Sequence, residues 1–159
     1  MTAELPDYVL DPSPLAIFTR LQRVGLHLER LQTEAMAEID MTFTDYTLIA
    51  TLHREPPPHA LPVSRLAELV LRPMGSITQV VDRLERSGFV ARRFDPDDRR
   101  RVLIELTDVG VDIAERGDKA YRVARERVLA ALPSADVVRL DDAITTMLLV
   151  LEADRDTPP

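Results

Sequence analysis

The sequence predicts a mainly α-helical fold of about six helices that carries one β-hairpin. Two observations support this prediction. Apolar residues recur at steps of three and four over several stretches, which is typical of helices with one buried face. Residues 90–94 and 101–106 instead read as two short strands that flank a polar, proline-containing turn, which is typical of a hairpin. The chain of 159 residues is long enough for one buried core, so we expect a single domain over residues 1–159.

The first predicted helix spans residues 13–39. Ser13 can act as its N-cap, and Pro14 suits its first helical position because the N–H that proline lacks would be unpaired there. Its apolar stripe consists of Ile17, Leu21, Val24, Leu28, Leu31, Ala35 and Ile39. A second helix is expected to begin with Thr44 as its capping residue and to end near His53, because the prolines that follow prevent its continuation.

A short third helix and a longer fourth one are predicted before the hairpin. Arg72 precedes Pro73 and is expected to end the third helix, since the residue before a proline avoids helical angles. The fourth helix spans about residues 74–87. Gly88, which follows it, can take the left-handed conformation that closes many helices.

After the hairpin, Thr107 is expected to cap a fifth helix and Ser134 a sixth. A short helix, a turn, a second helix and a hairpin in this order describe a winged helix-turn-helix, which we expect over residues 44–106. The remaining helices, over residues 13–39 and 108–152, have apolar stripes without an obvious partner in that lobe. Packing against a second copy of the chain would bury them, so we expect a homodimer.

The charge of the chain is unevenly distributed. The net charge is −7, which by itself disfavours binding to a polyanion. Residues 1–71 carry 5 basic and 10 acidic side chains, and residues 102–159 carry 7 and 12. Residues 72–101, in contrast, carry 8 arginines against 5 acidic side chains. A positive surplus confined to one stretch predicts one face that binds a polyanion.

The fourth helix is predicted to have a polar face that can read DNA. Its apolar stripe of Ile77, Val80, Val81 and Leu84 is expected in the core. The opposite side carries short polar groups, an amide that can read adenine, and guanidinium groups. The residues that we expect to contact DNA here are Arg72, Gly75, Ser76, Thr78, Gln79 and Arg83. The alternative is a solvated face with an ion pair between Asp82 and Arg86.

Three consecutive arginines, Arg99, Arg100 and Arg101, follow the polar turn of the hairpin. Arginine on a protruding ribbon suits the narrow and strongly negative minor groove of A·T-rich DNA. Alternation along a strand would direct Arg100 to one side and its two neighbours to the other. The alternative is a charged sheet edge that discourages aggregation. A helix and a hairpin that both carry arginines favour double-stranded DNA as the partner.

Three segments resemble the MarR family of transcriptional regulators. Residues 64–68 and 78–90 resemble its helix-turn-helix, and residues 95–110 match its wing signature of D-x-R, an apolar strand and L-T-x-x-G. The resemblance implies a homodimer that binds a pseudo-palindromic operator and represses, or less often activates, nearby genes. It places Asp98 and Arg100 at the paired acid and arginine of the wing, with the arginine in the minor groove and the aspartate holding an arginine in place. This chain departs from the family in lacking a glycine between the third and fourth helices.

The resemblance also implies a small effector, in many members a phenol or a carboxylate, that releases the DNA. It binds between the dimerisation helices and the DNA-binding lobe. Arg20, at the edge of the first apolar stripe, is expected to pair with such an anion, and His27 and Tyr46 are expected to line the same cleft. The alternative for Arg20 is a salt bridge on the surface or in an interface. Because the chain has no cysteine, thiol-based peroxide sensing is excluded.

The sequence offers little that would support an enzyme, a metal site or a cofactor. The three histidines, His27, His53 and His59, lack the spacing that places two imidazoles on one helix face, and we expect them to be isolated. A nucleophile with its base and a glycine-rich phosphate loop are both missing. The alternatives to a DNA-binding regulator are an enzyme and a winged helix that binds only proteins. A mobility shift on DNA at low salt distinguishes DNA binding from both. Neither a membrane span nor an export signal is visible, so we expect a cytoplasmic protein.

Overall fold

The computed structural model describes residues 5–155, which form six α-helices and a three-stranded sheet. The elements in chain order are α1 (Ala16–Ala37), α2 (Phe43–His53), β1 (Ala60–Pro62), α3 (Val63–Leu69), α4 (Met74–Arg86), β2 (Val90–Phe94), β3 (Val102–Leu106), α5 (Asp108–Leu129) and α6 (Ser134–Arg155). A short 3-10 helix, Asp7–Val9, precedes α1. The predicted fold class, with its helices and its hairpin, is confirmed.

The starts of α1 and α2 differ from the prediction. α1 begins at Ala16, and Ser13 belongs to a turn before it, where its hydroxyl accepts a backbone N–H at 3.3 Å. The N-cap of α2 is Thr42, whose hydroxyl accepts the Asp45 N–H at 3.1 Å, so the prediction of Thr44 as the cap is wrong. Thr42 has the extended backbone of a cap and stands three residues before the N–H that it accepts, which is the usual capping distance.

The sheet contains one strand, β1, that the sequence does not predict. β1 is three residues long and ends in Pro62, whose missing N–H suits an edge strand, so it offers no periodic pattern to recognise. The strand order is β1–β3–β2, and both pairs are antiparallel. β3 pairs with β1, which lies between α2 and α3 in the sequence. This pairing connects the hairpin of β2 and β3 to those two helices.

The main core is formed by α2, α3, α4, the sheet and the beginning of α5. The apolar stripe predicted for α4 is part of it, since each of its four residues is at most 4% exposed. Two glycines let α5 approach its neighbours. A Cβ at Gly110 would lie 2.0 Å from the carbonyl oxygen of Phe89, and a Cβ at Gly117 would lie 2.5 Å from the ring of Tyr46. Both distances are too short for any side chain.

The chain separates into two compact units. The first ends at Tyr121 and contains α1 to α4, the sheet and the larger part of α5, whereas the second begins at Arg122 and contains the end of α5 and α6. Many apolar side chains of α6 are exposed; they include Val138, Leu140, Ile144, Leu148, Leu149, Val150 and Leu151. The single domain and the division into a DNA-binding lobe and dimerisation helices remain predictions.

Residues 5–155 contain no helix that is both long and apolar enough to cross a membrane. Within the same range, no three acidic or histidine side chains come together as metal ligands would. His53 and His59 do lie side by side, with ring centroids 5.3 Å apart, so the expectation that all three histidines are isolated is wrong for this pair.

Candidate nucleic-acid interface

The turn between α3 and α4 forms without a glycine. Leu71 adopts a positive φ of 52°, in the left-handed region that residues with a Cβ rarely enter. Its N–H donates to the carbonyl of Glu68 at 3.2 Å, and the N–H of the exposed Arg72 donates to the carbonyl of Ala67 at 3.1 Å. The two helices therefore meet in a tight turn, as in a helix-turn-helix, although leucine occupies the position that would favour glycine.

The outer face of α4 is polar and accessible. Gly75, Thr78 and Gln79 are exposed, and Ser76 is half-buried. The Thr78 hydroxyl donates to the carbonyl of Met74 at 3.1 Å, so its hydrogen is already used within the helix. Apart from Gly75, its two chain neighbours and the nearby backbone of α4, no atom of the described residues lies within 4 Å of the place that a Cβ on Gly75 would occupy. The start of α4 can thus come close to another molecule.

Arg83 stands at the edge of this face, but its guanidinium is bound to α2. It forms a bidentate ion pair with Asp45, in which Nε lies 3.2 and 3.1 Å from the two carboxylate oxygens. The Asp45 side chain is 9% exposed and that of Arg83 46%. The hydrogen bond to Asp45 raises the pKa of Arg83 above its ordinary value. A residue predicted to read bases therefore has an intramolecular partner and ties α4 to α2.

Arg92 on β2 binds two carboxylates of α4. Its Nη1 contacts Glu85, its Nη2 contacts Asp82, and its backbone N–H donates to Glu85 Oε1 at 3.2 Å. The hydrogen bond to Asp82 is the main cause that raises the pKa of Arg92. The alternative ion pair of Asp82 with Arg86 is wrong, since Arg86 Nε donates to the backbone carbonyl of Asp82 at 3.1 Å. Helical spacing could not reveal the role of Arg92, because it lies on a different element.

The hairpin tip is a tight turn and not the continuation of a strand. The Asp98 carbonyl accepts the Arg101 N–H at 2.8 Å, which places Arg99 and Arg100 at the two central positions of a β-turn. The Asp98 carboxylate accepts the Arg100 N–H at 3.0 Å. The predicted alternation of the three arginines along a strand is therefore wrong, because β3 begins only at Val102.

The three arginines of the tip are exposed. Among residues 5–155, no carboxylate lies within ion-pair distance of their guanidinium groups. Asp98 acts on the backbone of the turn, whereas the resemblance led us to expect that it holds an arginine side chain. The tip is thus a compact group of positive charges whose turn, and not its side chains, is fixed by the neighbouring acid.

Comparison with known proteins places these features in a family. The sequence model of the MarR family matches residues 39–101. The HTH-type transcriptional regulator PecS of Dickeya dadantii is 31% identical over 113 residues, which cover 71% of this chain and 67% of PecS. This chain belongs to the MarR family. It is a transcriptional regulator with a DNA-binding winged helix-turn-helix.

Solved structures of the MarR family share the fold. AbsC of Streptomyces coelicolor superposes with a TM-score of 0.79 at 21% identity, over 96% of this chain and 99% of AbsC. A mutant of MarR from E. coli, solved in complex with operator DNA, superposes with a TM-score of 0.74 at 22% identity, over 83% of this chain and 93% of MarR. At these identities the likeness is one of fold.

The three residues expected to line an effector cleft in this MarR-family chain have different surroundings. The guanidinium of Arg20 donates to two backbone carbonyls of the segment before α1, at 2.8 and 2.6 Å. Tyr46 is 4% exposed and packs edge-on against Tyr121, whose hydroxyl accepts a hydrogen bond from Gln32. Gln32 is twelve residues after Arg20, about 18 Å along α1. His27 lies between them and is exposed. Arg20 and Tyr46 are therefore held by different neighbours, and their joint role in an effector cleft remains a prediction.

A cavity of about 180 Å³ lies in the first unit, next to the turn that leads into α4. Its walls are mostly apolar, and Arg72 is the charged residue among those that line it. The lining residues are Phe43, Thr44, Thr47, Leu48, Val70, Arg72 and Ile77. The sequence alone could not have identified this cavity, because its walls come from α2, the α3–α4 turn and α4.

Proposed function

We propose that this MarR-family regulator is a homodimer that binds a pseudo-palindromic operator, with α4 in the major groove and the hairpin tip in the minor groove. The observation that carries the proposal is the charge of the tip. Three exposed arginines without a carboxylate partner among the described residues project from a chain whose net charge is −7. An arginine in a narrow minor groove gains from the focused negative potential and from released counterions.

On α4, we assign base reading to Gln79, because an exposed amide can form two hydrogen bonds with adenine. Gly75, Ser76 and Thr78 allow the start of the helix to approach the phosphates, and Arg72 is placed to bind one. Arg83 could reach a base only by leaving the buried Asp45, so we assign it to holding α4 in place.

The apolar side chains of the terminal helices support a dimer. On α1, Ile17, Val24 and Leu28 of the predicted stripe are 47%, 52% and 41% exposed, and α6 exposes an apolar surface of its own. Burial of such surface against a second copy is favourable by roughly 25 cal/mol per Å². A symmetric dimer reads symmetric DNA, so the half-sites should lie about one helical turn, roughly 10 base pairs, apart.

The cavity beside the α3–α4 turn supports a regulator that a small molecule releases from DNA. A small phenol or carboxylate fits apolar walls with one arginine, and its binding would displace Arg72 and the turn before α4. We infer that the chain represses genes near its operator in the cytoplasm and that this effector relieves repression. A competing position for the effector is the cleft between the dimerisation helices and the DNA-binding lobe, where Arg20, His27 and Tyr46 were expected.

Selection of genomic fragments on the purified protein, followed by mobility shifts, tests DNA binding. We expect one symmetric site, a dimer in sedimentation, and an affinity that falls steeply with salt. Equal affinity for selected and random DNA would contradict sequence-specific regulation. A protein that binds no DNA even at low salt would instead be a protein-interaction module.

A cavity-filling variant tests the effector. Thr44→Leu places extra carbon in the cavity without touching the cap residue Thr42. We expect this variant to bind the operator normally and to lose release by a panel of phenols and aromatic carboxylates. If the variant still responds while Arg20→Met does not, the effector binds at the other position.

A further inference from the structure

Arg92 lies where the hairpin leaves the core. Its partner in register on β3 is Ile104, which is fully buried. The next pair on the same face, Phe94 and Val102, is 72% and 38% exposed. Because alternate residues of a strand share a face, Arg92 stands at the boundary between the buried and the exposed part of the hairpin.

At this boundary Arg92 joins β2 to α4 by contacts with two different acids. One arm of the guanidinium contacts Asp82, the other contacts Glu85, and the Arg92 N–H also donates to Glu85 at 3.2 Å. The side chain of Arg92 is 33% exposed, those of the two acids 51% and 38%. A planar guanidinium held at both arms and at its own backbone restricts the orientation of the strand as well as its distance from the helix.

This restriction affects the tip, because a small rotation of the hairpin at Arg92 displaces the residues farther along it. β2 continues for two residues beyond Arg92, about 7 Å of extended strand, before the tip begins. A rotation of about 10° at Arg92 would move the end of β2 by roughly 1 Å and the more distant tip by more. Because both the tip and α4 are proposed to contact DNA, the angle between them affects which contacts can form together.

The same contacts neutralise acids on the helix that faces DNA. Without Arg92, the carboxylates of Asp82 and Glu85 would oppose the two arginines of α4, and their field would repel phosphates. The guanidinium between them compensates one of these two negative charges. The effect of Arg92 on the orientation of the hairpin and its effect on the charge of α4 both favour DNA binding.

We propose that Arg92 is a positioning residue that fixes the wing relative to α4 and masks the carboxylates of Asp82 and Glu85. The proposal rests on the proposed DNA binding and adds a residue that acts on it without touching DNA. It separates Arg92 from its neighbour Arg93, which lies on the opposite face of β2 and is exposed.

Four variants test it by affinity for the selected operator: Arg92→Ala, Glu85→Gln, the double variant, and Arg93→Ala as a control that removes the same charge from the same strand. We expect Arg92→Ala to bind about tenfold more weakly with an unchanged salt slope, because no phosphate contact is lost. Glu85→Gln should also bind more weakly, although it removes a negative charge near DNA. The double variant should bind no more weakly than Arg92→Ala.

Additive losses in the double variant, or tighter binding by Glu85→Gln, would overturn the proposal. So would a drop of about one unit per subunit in the salt slope of Arg92→Ala, which would make Arg92 a phosphate contact. Loss of the fold in Arg92→Ala, seen as a collapsed melting transition, would leave Glu85→Gln as the deciding variant.

A distance measurement tests the geometry without DNA. Because the chain has no cysteine, Ser87→Cys and Asp97→Cys can carry a unique pair of spin labels, with labelled chains diluted in unlabelled protein. We expect a narrow distance distribution that broadens with Arg92→Ala and not with Arg93→Ala. A distance distribution that Arg92→Ala leaves unchanged would refute the positioning role of Arg92. If the protein with Arg92 binds no DNA while Arg92→Ala still broadens the distance distribution, the proposed function fails, and the role of Arg92 in fixing the hairpin relative to α4 stands.

Discussion

The arginines of α4 and those of the hairpin tip look alike in sequence and differ in structure. Arg83 is bound to the buried Asp45 through two oxygens, whereas Arg99, Arg100 and Arg101 have no carboxylate partner among the described residues. A guanidinium that must leave a buried carboxylate to bind DNA pays for an unpaired buried charge, and one in solvent does not. The number of arginines in a stretch therefore overstates how many can bind phosphate. The carboxylates around each arginine decide whether its guanidinium is available to bind phosphate.

The largest expected effect is on stability, from the paired side of this comparison. Arg83→Met leaves Asp45 buried without its partner, so the free energy of unfolding should fall by about 3 kcal/mol. Removing both charges with Asp45→Leu and Arg83→Met should recover most of that loss. Denaturant unfolding measures both variants. A stable Arg83→Met that no longer distinguishes operator from random DNA would make Arg83 a base-reading residue instead.

The next effect is on affinity, from the exposed side. Arg100→Ala should weaken operator binding by about 2 kcal/mol and lower the salt slope by roughly one unit per subunit. Its melting temperature should hardly change, because the side chain is exposed. Titrations at several salt concentrations check this, with Arg99→Ala as the matched control at the other central position of the turn. Equal losses in both would mean that the tip is a diffuse positive patch without a preferred arginine.

A smaller effect is expected for the amide of α4. Gln79→Ala should cost about 1–2 kcal/mol on the selected operator and clearly less on random DNA, because it loses base contacts and no charge. Competition titrations with both DNAs measure the difference. Gln22→Ala, which removes an exposed amide from α1, serves as the control. Equal losses on both DNAs would assign Gln79 to the phosphates.

The smallest effect separates turn geometry from charge. Asp98→Ala should weaken binding by about 1 kcal/mol, because the lost carboxylate accepts the Arg100 N–H and orders the turn. Asp97→Ala removes the same charge from the residue just before this turn, and the variant should bind with unchanged or slightly higher affinity. Mobility shifts with the two variants side by side test the contrast. Tighter binding by both would show that the acids act only through repulsion.

Elements whose signals are local were well predicted. The four buried residues of α4 follow from helical spacing, and Gly88 has the positive φ, 75°, expected after that helix. The hairpin strands also match, apart from one residue at the start of β3. The N-cap of α2 was misplaced because Thr42 and Thr44 are chemically equivalent candidates, and only backbone conformation separates them. β1 was not predicted, because a strand of three residues is too short to show the alternation of apolar and polar residues that identifies strands.

By itself the sequence determined the order of the helices, the buried face of α4, the three arginines of the tip and the resemblance to the MarR family. These properties depend on residues within a few positions of one another. The tertiary structure decided which charges are paired. Arg83 and Asp45 are 38 residues apart, and Arg92 meets its acids across seven and ten residues on another element. Such contacts arise only when the core packs α2, α4 and β2 together, because an ion pair requires a distance and burial that no local pattern encodes.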